Sequence, residues 1–294
     1  MPATDSGARI AQAYLNACDT ELRALKPGNV HDYADGHRMT VTDFEKSAQA
    51  SAPAMADVTL SVGARIHDAI RRTHEAVGCN TNLGIVLLCA PLAAAAHARA
   101  PGDDLRGALH AVLAKLDVAD AEAAFAAIRL AAPAGLGEAP EHDVRSRASV
   151  TLLDAMRAAR DRDCIAAQYA TGFRDVFEHG VPRLREGLRR WSDPRWAATW
   201  AYLGFLATFP DSHIARKQGT ARAEEVRVAA TALDAELRSR DAPSEMSARL
   251  LAYDAELKSR DLNPGTSADL TVASLFALSL SISPSERTLS LIHI

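Results

Sequence analysis

Apolar residues recur at intervals of three and four along most of the chain. Ile10, Ala13, Tyr14 and Ala17 begin this pattern, and later segments repeat it. Residues at these intervals share one face of a 3.6-residue turn, so the pattern predicts amphipathic α-helices. A first helix is expected over residues 5–25 and a second opens at a capping-box pattern, Thr42-Asp-Phe-Glu45. Further helices are expected over 62–77, 83–98, 104–115, 119–131, 146–160, 162–179, 182–190, 194–208, 219–240, 244–260 and 266–281.

No segment shows the sustained period-two alternation of a half-buried strand, and the composition also favours helix. Ala and Leu, which enter helices at little cost, are abundant, while only 5% of the residues are aromatic. We therefore predict an all-α fold, with one multi-helix domain of orthogonal or bundle-like packing over residues 1–288. Residues 133–140, rich in Gly and Pro, could link two domains, but their shortness favours a loop within one.

The two ends of the chain affect how much of it is read as native protein. Residues 1–10 lack the basic segment and apolar core of a signal peptide, which predicts a cytoplasmic protein. The last six residues, 289–294, match the translated end of a sequencing adapter. We expect them to be a non-native tail and leave them out of the fold prediction.

Composition also limits the partners of the protein. The net charge of -4 gives no global attraction to nucleic acid or to an anionic membrane. The most apolar stretch, Leu83 to Ala98, is too short for a membrane span and contains Pro91, so it is interpreted as a buried helix. The four cysteines are far apart without a C-x-x-C pair, which favours reduced thiols over a disulfide framework or a structural zinc site.

Five polar, Gly-containing segments interrupt the helical pattern, at residues 21–37, 78–84, 135–143, 210–219 and 263–269. Loops at one end of a helical protein can converge on a shared cleft, where cofactor and substrate sites are often built. Each segment also has a simpler interpretation, since every helix needs residues that end or cap it.

The first two segments carry residues suited to a nucleotide. Acids beside Lys26 would suit a site where Mg²⁺ neutralises phosphates and a lysine supplies a point charge, or they are a solvated loop before the next helix. Asn80 and Thr81 precede an apolar helix. They could cap it, and the backbone N–H groups of its first turn could also bind a phosphate.

The later segments offer further cations and acids. Arg216 and Lys217 could hold a polyphosphate, although a basic pair is more often a surface feature. Asp269, near a predicted helix start, would stabilise the helix dipole or bind a metal or a ribose. The chain contains no P-loop and no G-x-G-x-x-G motif, which disfavours the common α/β nucleotide enzymes.

Taken together, these segments resemble the triphosphoribosyl-dephospho-CoA synthase family. The matching features, which follow the family's order, are Glu21 with Lys26-Pro27-Gly28-Asn29-Val30, Phe44 with Ser47, Asn80-Thr81 with Gly84, Gly135-Leu136-Gly137 with Asp143, Asp211 with Arg216, and Asn263-Pro264-Gly265 with Ser267-Ala268-Asp269. The resemblance implies an all-helical transferase that joins ATP to 3′-dephospho-CoA. The implied products are adenine and 2′-(5″-triphosphoribosyl)-3′-dephospho-CoA, the precursor of the prosthetic group of certain acyl carrier proteins.

One departure from the family pattern bears on the substrate. Where well-studied members have Asn-Thr-His-Lys-Gly, this chain has Asn82 and Leu83 in place of the His and the Lys. Their loss would remove up to two charge-assisted contacts from a phosphate-facing helix start. The sequence is similar here to the branch of archaea and methylotrophic bacteria. A related role in one-carbon coenzyme biosynthesis (methanopterin or methanofuran type) is therefore one alternative, and a non-catalytic nucleotide-binding helical protein stays open as another.

The resemblance and the residue types together give the expected site. ATP and dephospho-CoA, or a related small acceptor, are the expected ligands, and Mg²⁺ is the expected cofactor. The expected general base is Glu21 or Glu75. The residues expected to bind the nucleotide or its phosphates are Lys26, Gly28, Asn80, Thr81, Arg216, Lys217, Asn263 and Ser267, and the expected metal or ribose ligands are Asp35, Asp143, Asp211 and Asp269.

Overall fold

The computed structural model describes residues 3–37, 39–100 and 102–282. The α-helices in these ranges are α1 (Ala3–Arg23), α2 (Val41–Ala56), α3 (Val62–Val77), α4 (Leu83–Ala98), α5 (Leu105–Leu113), α6 (Val118–Ala131), α7 (Leu152–Ala159), α8 (Cys164–Thr171), α9 (Val181–Trp191), α10 (Pro194–Thr208), α11 (Ser212–Gln218), α12 (Thr220–Ser239), α13 (Ser247–Ser259) and α14 (Gly265–Ser281). A π-helical turn (Val176–Gly180) precedes α9 and a 3-10 helix (Pro243–Met246) precedes α13. No β-strand forms within the described ranges, so the predicted all-α fold is confirmed.

The start of α2 differs from the predicted one. The capping box is formed by Thr40 and Asp43, two residues before the predicted pair. Thr40 Oγ1 accepts a hydrogen bond from the Asp43 N–H at 3.3 Å, and the Asp43 carboxylate accepts one from the Thr40 N–H at 2.9 Å. Both pairs fit the sequence pattern of a capping box, so the pattern alone could not choose between them.

The helix predicted over residues 162–179 is broken near its middle. Gly172 has a φ of +63°, and a Cβ there would lie 2.2 Å from Cε1 of His110. Glycine takes this φ without strain and leaves space for the His110 ring, and it ends α8 in a left-handed conformation. The predicted helix at 146–160 is also shorter than expected, since Thr151 is the N-cap of α7.

Sequence periodicity did not predict α11, which lies inside a segment interpreted as a polar break. It begins where the Asp211 side chain accepts hydrogen bonds from the N–H groups of His213 and Ile214. The assignment of residues 1–288 to one domain stays a prediction, and the predicted tail at 289–294 lies outside the described residues.

The two most apolar helices, α4 and α14, form the centre of the protein. The α14 residues from 270 to 280 are all buried, and α14 packs against α1, α4 and α10. Tyr14 of α1 meets Phe276 of α14 edge to face, with ring centroids 5.9 Å apart. A second apolar cluster lies between α10, α12 and α13. None of the described helices is both long and apolar enough to span a bilayer.

Arg65 of α3 is almost completely buried, with 1% of its surface exposed. Its guanidinium donates to the carbonyl groups of Ala54 at 2.5 Å, Met55 at 2.8 Å and Leu60 at 3.1 Å. The first two carbonyls belong to the last turn of α2, where helical partners are missing and the helix dipole is negative. Burial lowers the pKa of Arg65 to about 10, so the side chain still carries its charge at neutral pH.

We expect the Arg65→Met substitution to lower the free energy of unfolding by about 2–4 kcal/mol, because it leaves buried carbonyl groups unsatisfied. Arg72→Met on the same helix is the control. Arg72 is 42% exposed and its pair with Asp68 lies at the surface, so its loss should cost less than about 0.5 kcal/mol. Urea denaturation monitored by circular dichroism measures both values, and equal losses would contradict the role given to Arg65.

Candidate functional site

One large cavity of about 1400 Å³ opens where the five polar segments meet. Every one of these segments contributes residues to its wall, together with the first turn of α4 and apolar side chains of α6, α7 and α8. Pockets for a single drug-sized ligand usually measure about 300–1,000 Å³. The cavity therefore has room for two ligands of nucleotide size.

The fourteen predicted site residues fall into three groups. The residues that line the cavity are Glu21, Asn80, Thr81, Asp143, Arg216, Lys217, Asn263 and Asp269. Four others lie behind the wall, bound to residues near it, and these are Lys26, Gly28, Asp211 and Ser267. Asp35 and Glu75 lie outside the cavity.

The surroundings of those last two carboxylates are simple. Asp35 is exposed and accepts a hydrogen bond from the Val41 N–H at 3.2 Å, at the start of α2. The Glu75 side chain is 60% exposed and pairs with Arg71 one turn earlier on α3. The structure therefore does not bring either of them together with the other predicted residues.

An ion pair between Glu21 and Lys26 is buried in the cavity wall. Lys26 Nζ lies 2.5 Å from Glu21 Oε1 and 3.1 Å from Asn29 Oδ1. Asn29 in turn donates to Asn263 Oδ1 at 2.8 Å, so the segment after α1 is joined to the segment before α14. Burial raises the pKa of Glu21, and the charge and hydrogen bond of Lys26 offset part of that rise. Lys26 itself is 1% exposed and does not line the cavity.

Asp254 of α13 is a structural partner of this region that the sequence analysis missed. Its Oδ1 accepts from the Gly28 N–H at 2.8 Å and lies 3.2 Å from His31 Nε2. Burial pushes the pKa of Asp254 upward, but the hydrogen bonds from His31 and Gly28 outweigh it, so the pKa is lowered. In the sequence, Asp254 is one acid among many charged residues of a predicted helix. Nothing in that local pattern indicates that it binds residues near position 28.

Asp211 joins α11 to α14 and has both carboxylate oxygens engaged. One oxygen accepts from the N–H groups of His213 and Ile214, and the other accepts from Ser267 N and Oγ, each at 2.8 Å. Burial raises the pKa of Asp211, and these donors offset part of the rise. With four donors around it, Asp211 positions the two helix starts and has little capacity left for a metal ion.

Asp269 differs from Asp211 because no described residue donates a hydrogen bond to it. It lines the cavity one turn into α14, against the first turn of α4. A Cβ at Gly84 would lie 2.0 Å from Asp269 Oδ2, so glycine there makes room for the carboxyl group. Burial raises the pKa of Asp269 well above its ordinary value, and the negative charges of Asp211 and Glu21 add to the rise.

Asp143 lies on the loop between α6 and α7 and is also fully engaged. Its two oxygens accept from the Arg145 guanidinium at 2.9 and 2.8 Å and from the N–H groups of Ala139 and Arg145. The Arg145 hydrogen bond and these N–H groups lower the pKa of Asp143 far below its ordinary range. This carboxylate therefore shapes the loop that covers one side of the cavity.

The cavity wall carries four cations, two predicted and two missed. Arg216 Nη1 lies 3.5 Å from Asp163 Oδ2, and Lys217 Nζ lies 3.0 Å from Asp261 Oδ2. The missed pair, Arg160 and Arg162, lies in the turn between α7 and α8. Sequence periodicity predicted that one helix ends at residue 160 and that the next begins at residue 162, and the fold shows that the turn between them faces the cavity.

His213 is another cavity residue that the sequence analysis did not select. Burial and the positive charges of Arg216 and Lys217 lower the pKa of His213 to about 4. The imidazole is therefore neutral at physiological pH and can both donate and accept a hydrogen bond. A Cβ at Gly265 would lie 2.6 Å from its Nδ1, so glycine in the Asn263-Pro264-Gly265 segment lets the ring approach.

Of the residues before α4, Asn80 binds a free N–H group of the first helical turn, whereas the N-cap residue Asn82 makes no side-chain capping hydrogen bond and Thr81 bonds elsewhere. Asn80 Oδ1 accepts from the Leu83 N–H at 3.2 Å, and Thr81 Oγ1 donates to Ser47 Oγ at 2.6 Å. Asn82 is 3% exposed, and its amide donates to Thr73 Oγ1 at 3.1 Å and Ser51 Oγ at 3.3 Å. Leu83 lines the large cavity, whereas Asn82 does not.

We expect Gly84→Ala to lower the free energy of unfolding by about 1–3 kcal/mol, because the new methyl group would overlap the Asp269 carboxyl group. Gly107→Ala in α5 is the matched control. The nearest atom to a Cβ there is 3.8 Å away. The substitution should therefore raise the free energy of unfolding by about 0.5–1 kcal/mol, because Ala has a higher helix propensity than Gly. Urea unfolding compares the two variants. An unchanged free energy of unfolding in Gly84→Ala would show that the Asp269 carboxyl group does not pack tightly against Gly84.

Comparison with known proteins agrees with this description. The chain is similar to a solved structure from Archaeoglobus fulgidus, provisionally assigned as a triphosphoribosyl-dephospho-CoA synthase. The TM-score is 0.61 and the sequence identity 24%, over 79% of this chain and 96% of that one. This likeness supports the fold. No curated protein matches the chain significantly.

The family itself is established by a sequence match of nearly full length. Residues 7–287 match the model of the ATP:dephospho-CoA triphosphoribosyl transferases. The resemblance that the motifs indicated is thereby confirmed at the level of the family. Because the match covers almost the whole chain, the protein belongs to the ATP:dephospho-CoA triphosphoribosyl transferase family and is a transferase.

Proposed function

We propose that this protein transfers the triphosphoribosyl group of ATP to the 2′-hydroxyl of 3′-dephospho-CoA and releases adenine. The observation that carries the proposal is the cavity of about 1400 Å³, which combines two deep carboxyl groups with a set of cations. Glu21 and Asp269 are the deep acids, and Arg216 and Lys217 are the predicted cations. Such a cavity suits two nucleotides whose riboses must meet, while the cations hold the phosphates away from C1′ of the ATP ribose.

Glu21 is best placed to act as the general base. It lines the cavity, and its contact with Lys26 stabilises the ionised carboxylate, which a base requires. One oxygen is engaged by Lys26, and the other is available to accept the proton of the acceptor hydroxyl. The deprotonated oxygen then bonds to C1′ of the ATP ribose while the bond from C1′ to adenine breaks. Adenine keeps the electron pair of that bond and takes up one proton, which balances the proton given to Glu21, and leaves as the neutral base.

The cations would hold the triphosphate during this step. Arg216 offers a planar guanidinium for bidentate contacts and Lys217 offers a point charge. Their present partners, Asp163 and Asp261, form pairs that are partly exposed, so phosphate oxygens can replace them at small cost. The neutral His213 beside them is suited to a hydrogen bond with an uncharged group of the nucleotide.

Mg²⁺ fits this site as a partner of the nucleotide rather than as an ion in a preformed cage. No group of three or more ligating side chains occurs among the described residues. Mg²⁺ commonly uses one or two carboxylates together with substrate phosphates. Of the four predicted ligands, Asp269 is the one that lines the cavity and accepts no hydrogen bond from a described residue, so it would hold the ion or a ribose hydroxyl. When bound, the ion would supply charge neutralisation of the triphosphate.

Further parts of the proposal concern the setting of the protein. We place the reaction in the cytoplasm, where the free thiols of Cys18, Cys79, Cys89 and Cys164 would stay reduced. There are two alternatives: an acceptor from one-carbon coenzyme biosynthesis, which the Asn82 and Leu83 departure suggests, and a non-catalytic protein that only binds nucleotide. The position of Glu21 in a cavity large enough for two ligands favours catalysis with an acceptor of nucleotide size.

The central experiment incubates the protein with ATP, Mg²⁺ and dephospho-CoA and measures adenine by chromatography. We expect adenine in equal amount to a heavier CoA product, with a loss of about 10²–10⁴-fold in Glu21→Gln because the general base is removed. Glu75→Gln, which changes the exposed alternative base, should keep full activity. A folded protein that binds ATP but forms no adenine would contradict the proposed reaction.

The two lysines should respond differently to substitution by Met. Lys26→Met removes the charge that lowers the pKa of Glu21, so the acidic limb of the kcat/KM profile should move to higher pH. Lys217→Met should raise the KM for ATP and leave the limb in place, because Lys217 is assigned to phosphate binding. Rates of adenine release across pH test this difference, and an unchanged limb in Lys26→Met would refute the role given to the pair.

A further inference from the structure

A second chamber of about 790 Å³ lies beside the large cavity, between α1, α2, the end of α3 and the start of α4. Three residues, Glu21, Phe44 and Ile85, line both spaces, so the chamber and the cavity meet at these side chains. The other side chains of its wall include Leu15 and Asn82. None of the sequence predictions assigned a ligand to this chamber.

The position of Glu21 decides which ligand could enter. If Glu21 accepts the proton of the acceptor hydroxyl, as the proposed function requires, the acceptor ribose must lie at the junction of the two spaces. The base of a nucleotide is attached to C1′, next to the carbon that bears the 2′-hydroxyl. The base is therefore the part of the acceptor that lies closest to the junction once the hydroxyl is at Glu21.

The charges of the two spaces separate the phosphates from the base. The large cavity has Arg160, Arg162, Arg216 and Lys217 in its wall, whereas Lys46 is the one cation among the residues lining the second chamber. The acids of the chamber rim, Asp19 and Glu45, already pair with Arg23. Phosphate groups are therefore drawn to the large cavity, and an uncharged group suits the second chamber better.

The chamber wall also has the chemistry that a purine needs. Phe44 offers an aromatic face, and base–aromatic stacking is a common and sequence-tolerant source of affinity. Leu15 and Ile85 add apolar surface. Asn82, also in the wall, has a buried Oδ1 without a hydrogen-bond partner among the described residues, which the exocyclic amino group of adenine could satisfy after a small shift.

We infer that the second chamber binds the purine base of the acceptor nucleotide, with the base against Phe44, while the phosphates of both substrates lie in the large cavity. This inference rests on the proposed function, because it takes Glu21 as the base. It also changes the role expected for the substitution at position 82. The residue that replaces the family's His lies in the purine chamber, so it would affect the acceptor base rather than a phosphate.

Isothermal titration with dephospho-CoA and, separately, with ATP tests the inference without requiring turnover. Phe44→Leu removes the aromatic face, and Gln49→Trp fills the chamber from its exposed rim. We expect each to weaken dephospho-CoA binding by roughly 10- to 100-fold, the range that loss of one stacked base implies. ATP binding should stay within about twofold of the unchanged protein. Thr42→Trp, exposed on α2 outside the chamber, is the control and should change neither affinity.

A second probe, 4′-phosphopantetheine, distinguishes the base from the rest of the acceptor. If the chamber holds the purine, Gln49→Trp should leave 4′-phosphopantetheine binding unchanged while it weakens dephospho-CoA binding. Equal weakening of both would place the pantetheine arm in the chamber and overturn the inference. Weaker ATP binding in place of weaker dephospho-CoA binding would overturn it as well.

The failures of the two proposals can be told apart. If the unchanged protein binds dephospho-CoA with the expected response to Phe44→Leu but releases no adenine, the proposed reaction is wrong and the purine chamber stands. If adenine is released and the chamber variants keep normal dephospho-CoA affinity, the reaction stands and the chamber assignment is wrong. A protein that does not bind dephospho-CoA at all overturns the chamber assignment.

Discussion

The ion pair of Glu21 and Lys26 lies in the cavity wall with the two side chains only 5% and 1% exposed. Taking two charges out of water costs several kcal/mol per ion, and close contact with further hydrogen bonds must offset this cost. Here the offset comes from the 2.5 Å contact and from Asn29, which is itself held by Asn263. Because this buried pair needs these hydrogen bonds, the segment after α1 and the segment before α14 are held against each other.

The same segments are further fixed by buried acids that cap or brace backbone. Asp254 holds the Gly28 N–H, and Asp211 holds the starts of both α11 and α14. Each of these acids has its oxygens engaged by protein groups, as does Asp143 in its loop. Asp269 is the contrast, because it reaches the cavity without a donor from any described residue. The braced acids give the site a stable frame, and Asp269, which has no donor among the described residues, is available for ligands.

Close packing of the central helices gives the site its shape. Gly84 and Gly265 leave space that side chains from other elements use, the Asp269 carboxyl group in one case and the His213 ring in the other. Both glycines belong to motifs that the family resemblance relied on. Each glycine is needed because a side chain from another part of the chain packs against it. The glycines of the family motifs therefore help to shape the cavity. Family membership and this form together support two substrates meeting at Glu21.

The sequence by itself determined the all-α class, most helices and the family, because helical periodicity and short motifs are local properties of the chain. It also selected the segments that line the cavity, since glycine and polar caps mark where helices stop. It could not decide which acids face the ligand. Glu75 and Asp35 resemble Glu21 and Asp269 in residue type, yet only the tertiary structure shows that the former pair faces solvent or the start of a helix. Burial, charge pairing and the second chamber arise from contacts between residues far apart in the chain, such as Asn29 with Asn263 at a separation of 234 positions, and the local pattern contains no record of them.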